Sequence, residues 1–118
     1  MAAELLFWLI VGHLVGDFLF QTRWMAEQKV KKWDALVIHC LLYTGTIGFF
    51  ALLGGGLSLW SLALILAAHM GLDRRSFTVW WLKHVNKSDN MPWLVIIHDQ
   101  VWHLLVLALV TVLETRVF

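Results

Sequence analysis

Four pairs of polar side chains, each four residues apart, interrupt the apolar stretches of this 118-residue chain: His13 with Asp17, His39 with Tyr43, His69 with Asp73, and Asp99 with His103. Four residues is about one helical turn, so each pair shares a helix face. Imidazole and carboxylate together suit zinc, iron or manganese, whereas an oxygen-only set would suit magnesium or calcium. Two donors at i and i+4 can grip an ion from a single helix. Carboxylates and histidines projecting inward from facing helices can build a two-ion site. The candidate ligands are the seven residues His13, Asp17, His39, His69, Asp73, Asp99 and His103. Seven is too many for one tetrahedral zinc, and suits two ions, or one ion with further side chains orienting its imidazoles. Asp73 is the weakest member, because Arg74 and Arg75 adjoin it and offer it an interfacial ion pair.

Other polar groups adjoin these pairs. Tyr43 is expected to pack, with its hydroxyl donating to a neighbour, and Gln100 adds an amide. Gln21 lies one turn beyond Asp17, so His13, Asp17 and Gln21 read as one polar stripe. Gly12 and Gly16 flank that stripe and would admit close helix approach. His98 points about 100° away from the Asp99/His103 face, and His84 falls in a loop.

The elements that must position these residues are lipid-length helices. The chain is 60% hydrophobic with a mean hydropathy of +0.74, well above a soluble domain. The expected fold is an all-α integral membrane four-helix bundle, a single domain over residues 1–118. Its spans run roughly over 4–22, 34–53, 57–73 and 92–113, each near the roughly 20 residues that a crossing needs. Gly54-Gly55-Gly56 marks a tight turn, and Pro92 suits the first turn of the last helix. Most of the eight tryptophans lie near span ends, as in an aromatic belt. The loops 23–33 and 74–87 mix basic and aromatic residues and are expected to form short interfacial segments. The first apolar run lacks a basic leader and carries His13 and Asp17, so it reads as a retained span.

Charge sets the expected orientation. Arg23, Lys29, Lys31, Lys32, Arg74, Arg75, Lys83 and Lys87 all fall in those two loops, against Arg116 on the other side. The positive-inside rule then puts the basic loops in the cytoplasm and both termini outside, in a bacterial inner membrane. In helices of alternating direction, all four polar pairs come to lie roughly 0 to 16 Å below the cytoplasmic boundary. The opposite halves of the spans are almost purely apolar. Ionisable groups inside a membrane are costly, and four sets at one depth point to one shared site.

Three functions fit such a site. The first is a metal-dependent hydrolase, zinc being the leading metal and iron or manganese the alternatives. A bound metal makes water acidic enough to attack at neutral pH, and Asp17 or Asp99, if not a ligand, would be the catalytic base. Its substrate would be a lipid or lipid-linked molecule of the cytoplasmic leaflet, an anionic headgroup suiting the basic loops. The second is a proton or divalent-cation carrier working as a homo-oligomer. The third is a non-catalytic membrane protein acting through partners, with the His/Asp set as a hydrogen-bond lock. The single Cys40 excludes an internal disulfide and a four-cysteine zinc site. Buried carboxylates beside the histidines argue against haem. The expected partners are membrane lipids, with no nucleic acid.

The stretch from His13 to Lys29, HLVGDFLFQTRWMAEQK, resembles the N-terminal signature of small bacterial and phage membrane proteins known as domain of unknown function family 3307. His39 with Tyr43, His69 with Asp73, and Asp99-Gln100 with His103 look like that family's remaining polar positions. The resemblance covers nearly the whole chain and implies an integral membrane protein without assigning an activity. The region after Asp73, RRSFTVWWLKH, departs from it in being more basic and aromatic. A weaker similarity exists to small inner-membrane metal-dependent hydrolases, which also set His and Asp in short hydrophobic helices.

Overall fold

The computed structural model describes residues 2–29, 31–88 and 90–117, and the described residues are helical with short connections and no strand. Helix α1 (Ala2–Leu14) continues into a π-helical turn, Val15–Leu19. Two short helices fill the basic loops: α2 (Arg23–Gln28), and α5 (Ser76–Trp81) with its π-helical extension Leu82–Asn86. The remaining helices are α3 (Trp33–Ala51), α4 (Leu59–Asp73) and α6 (Pro92–Arg116). Among the described residues, Ala2–Leu19, Trp33–Gly54 and Pro92–Arg116 are long and apolar enough to cross a membrane.

The third expected span is shorter than 57–73. Helix α4 has 15 residues, about 22 Å at 1.5 Å per residue. The turn before it consumes the difference. Gly55 and Gly56 take φ of 112° and 89°, a backbone that suits glycine. Ser58 then caps α4 by accepting from the Ser61 amide. Across the bundle, the Glu114 carboxylate accepts from Ser58 N at 2.9 Å and from Ser61 Oγ at 2.6 Å, tying the start of α4 to the end of α6. The first span also ends earlier than 22, because residues 20–22 are non-helical and Thr22 caps α2 by accepting from the Met25 amide. The last helix runs on to Arg116.

Helices α1, α3, α4 and α6 pack in a ring in that order, α6 closing against α1. One half of the bundle is an apolar core of Leu5, Leu9, Tyr43, Ile47, Ala51, Ile65, Leu107 and Val110. The other half holds the buried histidines and aspartates. Outward-facing side chains are largely apolar, including Phe7, Leu19, Leu41, Phe49, Leu59, Trp60 and Leu105.

Glycine sets the closest approaches. A Cβ on Gly12 would stand 3.1 Å from Ile47 Cα, and one on Gly16 3.1 Å from the Tyr43 ring, so both let α1 lie against α3. A Cβ on Gly54 would stand 2.9 Å from Leu5 Cα, whereas one on Gly45 would meet nothing within 4 Å. Gly54→Ala is therefore expected to cost about 1–3 kcal/mol through backbone overpacking. Gly45→Ala should add about 0.5–1 kcal/mol by stiffening a helix interior. Thermal unfolding of both variants in one detergent checks this, and equal effects would contradict the packing.

Candidate metal centre

Each polar pair is delivered by a different wall of the bundle, and the structure brings them together. The end of α1, the start of α3, the end of α4 and the first half of α6 meet at one level. His13, Asp17, His39, His69, Asp73, Asp99 and His103 are all buried there, each at most 2% exposed.

Asp73 is the hub. Its carboxylate is fully buried, and its Oδ2 lies 2.8 Å from His39 Nε2, 3.0 Å from His69 Nε2 and 2.9 Å from Lys29 Nζ. Its Oδ1 lies 3.0 Å from His103 Nε2. This corrects the expectation that Asp73 is the outlying member paired with the neighbouring arginines. As the last residue of α4, it points its side chain into the bundle, while Arg74 lies over the Trp33 ring at 4.5 Å.

Two groups of donors result. Asp17, His39, His69 and Asp73 form one; Asp73, Asp99 and His103 form the other. In the first, His39 Nε2 is 3.0 Å from both Asp17 Oδ1 and His69 Nε2, and His69 Nε2 is 3.7 Å from Asp17 Oδ1. With zinc bonds of about 2.0–2.1 Å, the donor atoms of a tetrahedral site stand about 3.3–3.4 Å apart. Observed separations of 2.8 to 3.7 Å bracket that value. Two nitrogens facing each other at 3.0 Å must either share one proton or bind one ion. The two oxygens of Asp73 face different groups, so this carboxylate has the placement of a bridge between two cations.

His13 stands apart from both groups. Tyr43 Oη donates to its Nδ1 at 2.7 Å, and Gln100 Oε1 accepts from its Nε2 at 2.7 Å. Both ring nitrogens are thereby engaged, which corrects its expected place among the ligands and makes it a link between α3 and α6. The π-helical turn after Leu14 gives the reason, because it breaks the regular i, i+4 register and carries Asp17 toward α3, leaving its Oδ2 3.9 Å from His13. Such turns are frequent at functional sites. It also ends the expected stripe, since Gln21 lies outside the helix and donates only to the Asp17 backbone carbonyl, at 3.0 Å.

Tyr43 does pack, its ring stacking on His69 with centroids 3.6 Å apart and 7° between planes. Tyr43→Phe keeps that stack and leaves a buried His13 nitrogen without its donor. The expected cost is about 1–3 kcal/mol, read as a drop in unfolding temperature with helix content retained. An unchanged temperature would show the His13 link to be dispensable.

Lys29 is the functional candidate that sequence reasoning missed. It is 3% exposed and its ammonium is 2.9 Å from Asp73. In the sequence it looks like one basic residue of a solvated loop; only its place at the end of the stretch beginning at His13 set it apart. His84, by contrast, is exposed and bonds only to the Trp80 carbonyl.

A cavity of about 10 Å³ adjoins His69, His103 and Tyr43, about the room one water needs. The centre is closed around its own side chains. No curated protein and no solved structure matches the chain. A family model described as a protein of unknown function (DUF3307) matches residues 5–117, nearly the whole length, and the chain belongs to that family.

Proposed function

We propose that this protein is an integral membrane metal-binding protein, a metal-dependent hydrolase acting at the cytoplasmic leaflet of a bacterial inner membrane on a lipid or lipid-linked substrate. The observation that carries the reading is the pair of buried donor groups joined through Asp73. Three long apolar helices and an apolar outer surface support the membrane setting. Helix α4 completes the bundle as a shorter fourth span, which the bilayer accommodates by thinning or by helix tilt of its neighbours. The basic residues around α2 and α5 support a cytoplasmic placement of that end.

A divalent ion, zinc first and iron or manganese next, would supply positive charge to polarise the ester group and to acidify water. The protein's own residues divide the remaining work. Asp17 is engaged by His39, whereas Asp99 Oδ1 is buried without a hydrogen-bond partner. Asp99 is therefore the better base of the two. It takes a proton from the attacking water; the ester bond breaks, and the leaving oxygen is protonated in turn. His103 Nε2 lies 3.0 Å from the Asp73 carboxylate, while its Nδ1 donates to the Asp99 backbone carbonyl and lies 3.7 Å from the Asp99 carboxylate.

The test is turnover. Protein reconstituted in vesicles of bacterial polar lipid, supplied with zinc, iron or manganese, should release a hydrolysis product seen by lipid mass spectrometry. Asp99→Asn and a chelator should each abolish it.

One observation favours a second reading. Lys29 already supplies a cation to Asp73, and the Nε2 atoms of His39 and His69, 3.0 Å apart, can share one proton between them. On that reading the centre is a protonated hydrogen-bond network, either a relay in an oligomeric carrier or a lock in a partner-binding protein. Proton or cation flux in liposomes without lipid turnover would favour the carrier.

A further inference from the structure

Immediately after the hub residue, the chain builds a second polar feature that the metal centre does not use. Arg74, Arg75, Ser76, Val79 and Val95 line an open cavity of about 500 Å³ between α5 and α6. One wall is apolar and the other carries two guanidinium groups. Arg74 Nη1 and Arg75 Nε are buried and without a hydrogen-bond partner. No carboxylate pairs with either arginine among the described residues. A buried N–H without an acceptor costs about 1–3 kcal/mol, and both belong to residues that line this one opening. Arg74 is braced over Trp33, and Arg75 holds a left-handed backbone, φ 63°, which costs a non-glycine residue about 1–3 kcal/mol. Outside the cavity, Phe77 and Trp80 are exposed.

We propose that Arg74 and Arg75 bind the phosphate group of an anionic phospholipid, its acyl chains lying along the Val79/Val95 wall. Two planar forks of N–H donors match phosphate oxygens, and Arg does this better than Lys. The apolar wall beside the charge fits a lipid phosphate rather than a free one. The site begins one residue after Asp73. As a substrate subsite it rests on the hydrolase reading, while as a lipid site it stands alone.

Native mass spectrometry of the detergent-solubilised protein tests it. Wild-type protein should retain one phosphatidylglycerol with about tenfold preference over phosphatidylcholine. Arg74→Gln and Arg75→Gln should each weaken retention about tenfold, and Arg75→Lys nearly as much, since it keeps charge but loses the fork. Lys83→Gln, at an exposed charge on the π-helical extension of α5, should change nothing. Equal retention of the two lipids by wild-type protein would overturn the proposal whatever the variants do. So would a loss in Lys83→Gln equal to that in Arg75→Gln, which signals diffuse attraction. Inorganic phosphate at millimolar concentration should not displace the lipid; displacement would assign the site to free phosphate and overturn the lipid. The readout is bound mass without turnover, so a failure here leaves metal content untouched, and a metal-free protein leaves lipid retention untouched.

Discussion

Asp73→Ala is expected to be the most damaging single substitution in this protein, destabilising it by about 3–5 kcal/mol. The reason is what remains behind. Lys29 stays 97% out of contact with solvent, its ammonium unpaired, and three imidazole nitrogens lose their carboxylate neighbour. Removing one partner of a buried ion pair costs more than removing both. Asp73→Ala combined with Lys29→Met should therefore recover most of the lost stability, a coupling that a double-mutant cycle measures by unfolding in detergent. Additive losses would mean that the Lys29–Asp73 pair is not the origin of the effect. Metal binding separates the two roles of Asp73: the double variant should regain stability without regaining metal.

The second large effect is on metal affinity. His39 and His69 each contribute an Nε2 to the four-donor group, so His39→Ala or His69→Ala should weaken binding there by more than about 100-fold. Side chains that only orient a metal's ligands are worth about 10–100-fold. His13→Ala, which reaches the group through Tyr43 stacked on His69 and lies 3.9 Å from Asp17, should fall within that smaller range. Competition against a chromophoric chelator ranks the three. A His13→Ala defect as large as that of His69→Ala would place His13 among the direct ligands and contradict the hydrogen-bonding found here.

Much of this arrangement is legible from residue spacing, and the exceptions have physical causes. The meeting of four polar pairs at one level follows from alternating helix direction, because the pairs sit at the C-terminal ends of the first and third spans and in the N-terminal halves of the second and fourth. Helix periodicity alone does not reveal the π-helical turn at Val15–Leu19. That turn separates His13 from Asp17 and strands Gln21 outside the helix. Asp73 was misplaced because its neighbours in sequence, Arg74 and Arg75, look like its partners, whereas the helix end turns it inward to His39 and His103 on other helices and to His69 one turn back on its own. Lys29 escaped for the converse reason: a lysine in a basic loop carries no mark of burial until the loop folds back over an aspartate 44 residues away. The shortness of α4 comes from the glycine turn and the serine cap, whose combined length hydropathy does not register.

The measurement that tests the central claim most directly is elemental analysis of the detergent-purified protein, wild type beside His103→Ala and His69→Ala. If Asp73 bridges two cation sites, the wild type carries two equivalents of a transition metal. His103→Ala should then keep the ion of the four-donor group and lose the other, while His69→Ala loses the ion of the four-donor group. Folded wild-type protein that carries no metal, and takes up none when zinc, iron and manganese are supplied, would contradict the account and leave a protonated network around Lys29 and Asp73 in its place.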